Sequence, residues 1–384
     1  MKLFSSMSAN KSAMYLVPVI FAQGFRIFFF LAGVWAVVAM VAWLWILMTG
    51  ARWLETPLPL AWHHGHEMLF GFTAAAAAGF LLTATPVWSK TPPLTGRPLQ
   101  GLVLAWLLGR VGAILACCLP AWLPALADMA FFIGFLSFLT PTLWFTGNPV
   151  HRIFPILLSI MAIGDLMVHL EAMAWTRQTA HIGLLLGLDA ILFFLVMTGG
   201  HIMPMFTRDD LRARGESAQF AISPLLEISS AVTMSLYVLA DVFLPGNIAA
   251  GWIYLTAGVV QGIRLVRWHG DKTLHNPLLW VLHLGYLWLV MGLLLRGWAR
   301  LNDTLSDSMV LHALTIGAMG LFTQGIMARI SLMHTGRLLV LPVIMTWAFL
   351  LLTAAAIIRV FLVSWDATWA MFLSGSLWVA AYMI

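Results

Sequence analysis

The chain has 384 residues, 61% of them hydrophobic and 9% charged, and a formal net charge of +5. A soluble globular domain carries about 25% charged residues, so this chain lacks the polar surface to stand in water, and its mean hydropathy of +0.93 marks an integral membrane protein. The positive excess sits in short loops between apolar runs, where it reports topology and calls for no nucleic acid.

Residues 1–25 read as a short N-terminal interfacial segment: the apolar part, 13–25, is too short to span and ends in Gln23 and Gly24. The first long apolar run begins near Arg26 with no small-residue cleavage motif after it, so no cleavable signal peptide is expected. Runs of about 18 or more apolar residues can cross a bilayer. They fall at 26–48, 67–88, 99–119, 124–144, 152–172, 181–203, 222–242, 248–268, 276–297, 306–330, 338–361 and 365–384. The connections are short, so the expectation is an all-α bundle of about twelve transmembrane helices forming one polytopic domain over 1–384. The 22 Met, 24 Phe and 19 Trp suit lipid-facing helices with interfacial aromatic belts.

The second run opens with HHGHEMLFGFTAAAAAGF, residues 63–80. Helical spacing places His64, Glu67, Met68 and Gly71 on one face, continued by Ala75 and Gly79. The small residues admit a neighbouring helix or a flat cofactor; the histidines form either an interfacial cluster or a ligand set. In the third run Arg110 lies mid-helix, where a charge needs a partner, with Asp165 or Asp189 as candidates. That run ends near Cys117 and Cys118, whose adjacency suits neither a disulfide framework nor zinc; no CxxCH occurs, so any haem is bound non-covalently.

The fifth run contains GDLMVHLE, in which Asp165 and His169 are one turn apart, a spacing at which a carboxylate can hold one ring nitrogen while the other ligates metal. The sixth carries Asp189 and closes with GGHIMPMF around His201; the ninth reads NPLLWVLHLGYLWL, with His283 two turns in. The tenth, LHALTIGAMGLFTQGIMARI, carries His312 inside the membrane, with Gly317 and Gly320 clearing space beside it, and His334 follows near its end.

Lysine and arginine place both termini in the cytoplasm: Lys2, Lys11, Arg26, Lys90, Arg97, Arg152 and most of the rest fall at inner ends, against Arg52, Arg177, Arg296, Arg300 and Arg359 outside. That orientation sorts the histidines into an outer layer (His63, His64, His66, His169, His181, His312) and an inner one that includes His201, His283 and His334. Imidazole suits haem iron and copper, and thioether sulfur suits Cu(I). One metal centre is therefore expected near His64, His66 and Met68, joined by His312 and His169, with His63 as the spare. Another is expected around His201, His283 and His334.

The stretches AQGFRIFFFLAG, HGHEMLFGF with AGFLLTATPVW, GGHIMPMFT, NPLLWVLHLGY and LHALTIGAMG through MARISLMHTGR resemble the NnrS family across nearly the whole chain. These are polytopic bacterial membrane proteins associated with haem, copper and the response to nitric oxide. The resemblance implies non-covalent haem b and copper as cofactors, nitric oxide or a related small ligand as partner, an unspecified electron donor and a place in the bacterial inner membrane. It carries the family's histidine motifs onto His64, His66, His283, His312 and His334, with Arg26 and Glu67 beside them. Ile27 stands where proline is expected, Val87 where asparagine is common, and His201 falls at a variable position.

Two other functions compete with redox or ligand chemistry at haem. A proton- or solute-coupled transporter would use Arg110, Asp165, Asp189 and Glu227 as a relay. A haem-copper oxidase or nitric oxide reductase core would need a His-His pair within a helix, whereas His63 and His64 sit at a loop edge.

Overall fold

The structure is a computed structural model that describes residues 18–50, 58–145, 148–216 and 223–384. Lys2, Lys11, Arg52 and residues 1–17 of the interfacial segment lie outside the described residues. Among the described residues all regular structure is helical. A single 3-10 turn, Val19–Phe21, precedes α1, Gly24–Thr49. There follow α2 (Leu60–Ser89), α3 (Gly96–Ile114), α4 (Trp122–Trp144), α5 (Ile153–Ala172) and α6 (Thr179–Ala213). The rest are α7 (Pro224–Phe243), α8 (Ile248–Val266), α9 (Pro277–Asn302), α10 (Asp307–His334), α11 (Val343–Leu362) and α12 (Ala367–Met383). Ten of these helices are long and apolar enough to cross a membrane; α3 and α12 fall outside that set. The chain is thus an all-α, multi-pass membrane protein, and the apolar runs read from sequence each correspond to one helix.

The short connections mark helix starts with capping chemistry. Asn247 and Asn276 accept from the backbone N–H two residues on, and Ser306 and Asp366 from the N–H three residues on. Pro224 and Pro277 open α7 and α9, where a missing N–H costs nothing. One boundary differs from expectation: α6 continues to Ala213, ten residues past the end set by Gly199, Gly200 and Pro204. Nothing in the following RDDLRA breaks a helix, so α6 runs on into polar sequence until Gly215, which adopts a φ of +75°.

Two compact units emerge: one takes Met1–Trp35 and Arg52–Ala180, the other Ala36–Ala51 and His181–Ile384. In the first, α4 packs against α2, α3 and α5. In the second, α8 packs on α7 and α9, α9 on α10, and α11 on α12.

Each unit contains a similar pair of helices. In α2, His66 directly precedes a π-helical turn, Glu67–Thr73; in α10, His312 directly precedes another, Ala313–Gly320. Gly71 and Gly79 follow His66 at the spacing at which Gly317 and Gly325 follow His312. A Cβ at Gly71 would lie 2.5 Å from Trp35 and one at Gly79 2.5 Å from Phe29. A Cβ at Gly317 would lie 2.5 Å from Trp288 and one at Gly325 2.9 Å from Leu282, and Trp288 and Leu282 repeat the spacing of Trp35 and Phe29. The absent side chains make room for Trp35 and Phe29 in one pair and for Trp288 and Leu282 in the other.

Candidate metal centre

The site forms where the π turn of α2 meets α3, α4 and α5, all in the first unit. A π turn adds a residue to the helix repeat and rotates the segment before it relative to the segment after it, a distortion frequent at functional sites. Here the Thr73 hydroxyl donates to the Met68 carbonyl at 2.8 Å, and the Trp106 indole N–H donates to the Gly71 carbonyl at 3.1 Å. The rotation alters the face expected from regular helical spacing: the adjacent residues His66 and Glu67 both enter the site.

His66 Nδ1 lies 2.8 Å from Glu67 Oε1 and Nε2 lies 2.7 Å from Asp165 Oδ1. A carboxylate only accepts, so both ring nitrogens donate as they stand, Nδ1–H to Glu67 and Nε2–H to Asp165; the Glu67 bond fixes the ring orientation, and Nε2 would ligate a metal only in place of its proton. His169, from α5, sets Nε2 3.1 Å from Asp128 Oδ2 and 3.7 Å from Asp165 Oδ2. The two imidazoles meet edge to face with centroids 5.1 Å apart. His66, Asp128, Asp165 and His169 each offer a donor atom, and all four donors lie within 4.8 Å of one another in a fully buried cluster.

Arg110 closes the cluster from α3. Its Nη1 donates to Glu67 Oε2 at 2.6 Å and its Nη2 to Asp128 Oδ1, while the guanidinium packs between Trp35 and Trp106. Gly109 makes room for this: a Cβ there would strike the Asp128 carboxylate. Three buried carboxylates, Glu67, Asp128 and Asp165, thus face one guanidinium. With neutral histidines the cluster carries two uncompensated negative charges in a buried position. Such charges persist only when paired, so two imidazolium protons or one divalent cation must balance them.

Beside the donors lies a cavity of about 60 Å³, lined by His63, His66, Glu67, Asp128, Val168 and His169 among others. His63, set aside by the sequence reading, lines it; His64 and Met68 do not, although Met68 is buried in the π turn. Arg110 pairs with Glu67 and Asp128 instead of Asp165 or Asp189, because α4 supplies the nearer carboxylate. Asp128 was missed by the sequence reading; its signal was an acidic residue inside an apolar run.

The remaining candidates lie elsewhere. Arg26 is half-buried in α1 with its guanidinium over Phe25. His312, His283, His201 and His334 belong to the second unit. His312 Nδ1 donates to the Ser308 carbonyl at 2.5 Å, which leaves Nε2 as the acceptor nitrogen. His283 is buried with Nε2 3.0 Å from the Thr207 hydroxyl and Nδ1 packed against Gly270. His201 is exposed and His334 half-buried at the end of α10. Glu227 pairs with Arg264, and Arg296, counted from sequence at the outer end of its helix, is an ion partner of Asp241.

Residues 19–384 match the protein family described as NnrS protein. No curated protein matches the chain.

Proposed function

The chain belongs to the NnrS family, and from that premise we propose that it serves the nitric oxide response in the bacterial inner membrane through ligand or redox chemistry at a metal ion. His66, His169, Asp128 and Asp165 would hold that ion. The observation that carries the reading is the buried donor quartet with its two unmatched negative charges, which one divalent cation balances.

Imidazole and carboxylate donors suit divalent copper or iron; Cu(I) favours sulfur, and the sulfur expected from Met68 does not line the cavity. When bound, such an ion supplies an open position for a small ligand and, with an electron donor, a one-electron couple. The chain's own residues set the conditions. Glu67 holds the His66 ring in place, Arg110 offsets part of the carboxylate charge, and the cavity beside the donors, about 60 Å³, has room for a diatomic ligand.

Haem is not assigned here, because both ring nitrogens of His66 and Nε2 of His169 face carboxylates and are committed to them. Haem b, which the family association implies, would be held in the second unit. His312 is the foremost ligand there, because its Nδ1–H is engaged by Ser308 and its Nε2 is available to iron.

Metal analysis and an optical spectrum of the detergent-purified protein test both assignments. About one equivalent of non-haem divalent metal is expected, lost in His66→Ala and in Asp128→Asn while the haem Soret band persists. In His312→Ala the Soret band should vanish and the non-haem metal remain. Wild-type protein that takes up no divalent metal after supplementation would overturn the metal centre, and a Soret band unchanged in His312→Ala would overturn the haem assignment.

A further inference from the structure

The second unit holds a buried cluster that the metal centre does not use. Asp189 of α6, Asp241 and Tyr237 of α7, Tyr254 of α8 and Arg296 of α9 meet around one guanidinium. Arg296 Nη2 lies 2.6 Å from Asp241 Oδ2, and Nη1 donates to the Tyr237 hydroxyl. The Tyr254 hydroxyl donates to Asp241 Oδ1. Asp241 is therefore served by both a cation and a phenol.

Asp189 is not. Its side chain is 0% exposed, neither carboxyl oxygen accepts a hydrogen bond, and the nearest cationic atom, Arg296 Nη1, stands 3.6 Å away and is committed to Tyr237. The charges are also unequal, with two carboxylates to one guanidinium. Another ion pair in the same unit, with Arg264 buried and Glu227 half-buried, shows the balanced alternative. Arg264 faces Glu227 alone among carboxylates, and its remaining donors go to the Val196 carbonyl and the Tyr286 hydroxyl.

We propose that Asp189 and Asp241 form a one-proton binding site in the second unit, with the proton resident on Asp189. An isolated buried carboxylate is costly enough that such a group takes up a proton instead. A carboxylic acid at Asp189 brings the cluster to neutrality and gives that side chain a donor, for which the Asp241 carboxylate is the neighbouring acceptor. The groups facing Asp189 are Asp241, Arg296, Tyr237 and Tyr254, and none of them supplies a second positive charge. Because α6, α7, α8 and α9 each contribute one or more members, loading or unloading this proton changes the charge at a junction of four helices.

Infrared spectroscopy of the full-length protein in detergent reads the site directly, independently of any bound metal. Wild type at neutral pH should show a carbonyl stretch of a buried protonated carboxyl that shifts in D₂O. Asp189→Asn should lose that band, since Asn imitates the neutral acid in shape. Asp241→Asn should lose it too, because one carboxylate then matches one guanidinium and Asp189 ionises. If one variant fails to accumulate, the other carries the same test. Absence of the band from wild type, or its persistence in either variant, would overturn the proposal.

Discussion

Replacement of Arg110 by methionine is expected to destabilise the protein by about 3–5 kcal/mol, the cost of removing one partner from a buried ion pair. The guanidinium binds Glu67 and Asp128 at once, both buried, and among the described residues no other arginine or lysine pairs with either carboxylate. Methionine preserves much of the packing against Trp35 and Trp106, so the loss reports charge more than volume. A thermal-unfolding midpoint in detergent measures it. Adding Asp128→Asn to Arg110→Met should recover part of the loss, because one of the stranded carboxylates disappears. A single variant as stable as wild type, or a double variant that adds a second full penalty, would contradict the pairing.

Gly71→Ala and Gly317→Ala form the second prediction, and their contrast matters more than either result. The new methyl at Gly71 would stand 2.5 Å from Trp35 Nε1 and 2.8 Å from Arg110 Nη1; at Gly317 it would stand 2.5 Å from the Trp288 ring. Overpacking of this kind costs about 1–3 kcal/mol, so both midpoints should fall by several degrees. Only Gly71→Ala should also lower the non-haem metal content, since it pushes on the guanidinium that holds Glu67 and Asp128. Equal metal loss in both variants would mean that occupancy follows global stability and that the two glycines do not differ in their relation to the centre.

Much of the site was legible as single residues. His66, Glu67, Arg110, Asp165 and His169 stand out because each is a polar group in an apolar run, which membrane energetics penalises unless it is used. Their partners were not legible. Asp128 carries the same signal, yet it lies near the start of α4, where an interfacial position explains an aspartate equally well. Arg110 was assigned Asp165 or Asp189 by depth alone, whereas α4 supplies its second carboxylate and Asp189 lies in the other unit beside Arg296. The choice between His63 and His64 is open in the sequence, because in a regular helix both stand one turn before Glu67, at four and three residues; the packing decides that His63 lines the cavity.

By itself, the amino-acid sequence determined that the chain is helical and membrane-embedded, and roughly where each helix runs. Hydropathy and chain length act along one segment at a time, and the bilayer demands backbone hydrogen bonds within that segment. It also held the repeated spacing of His66 with Gly71 and Gly79 and of His312 with Gly317 and Gly325. Only the tertiary structure decided which buried charges neutralise one another, and therefore where a divalent cation or a proton is still required. Depth along a helix can be read from residue number, but the direction a side chain faces and the helix it meets depend on packing. A single π turn is enough to change both.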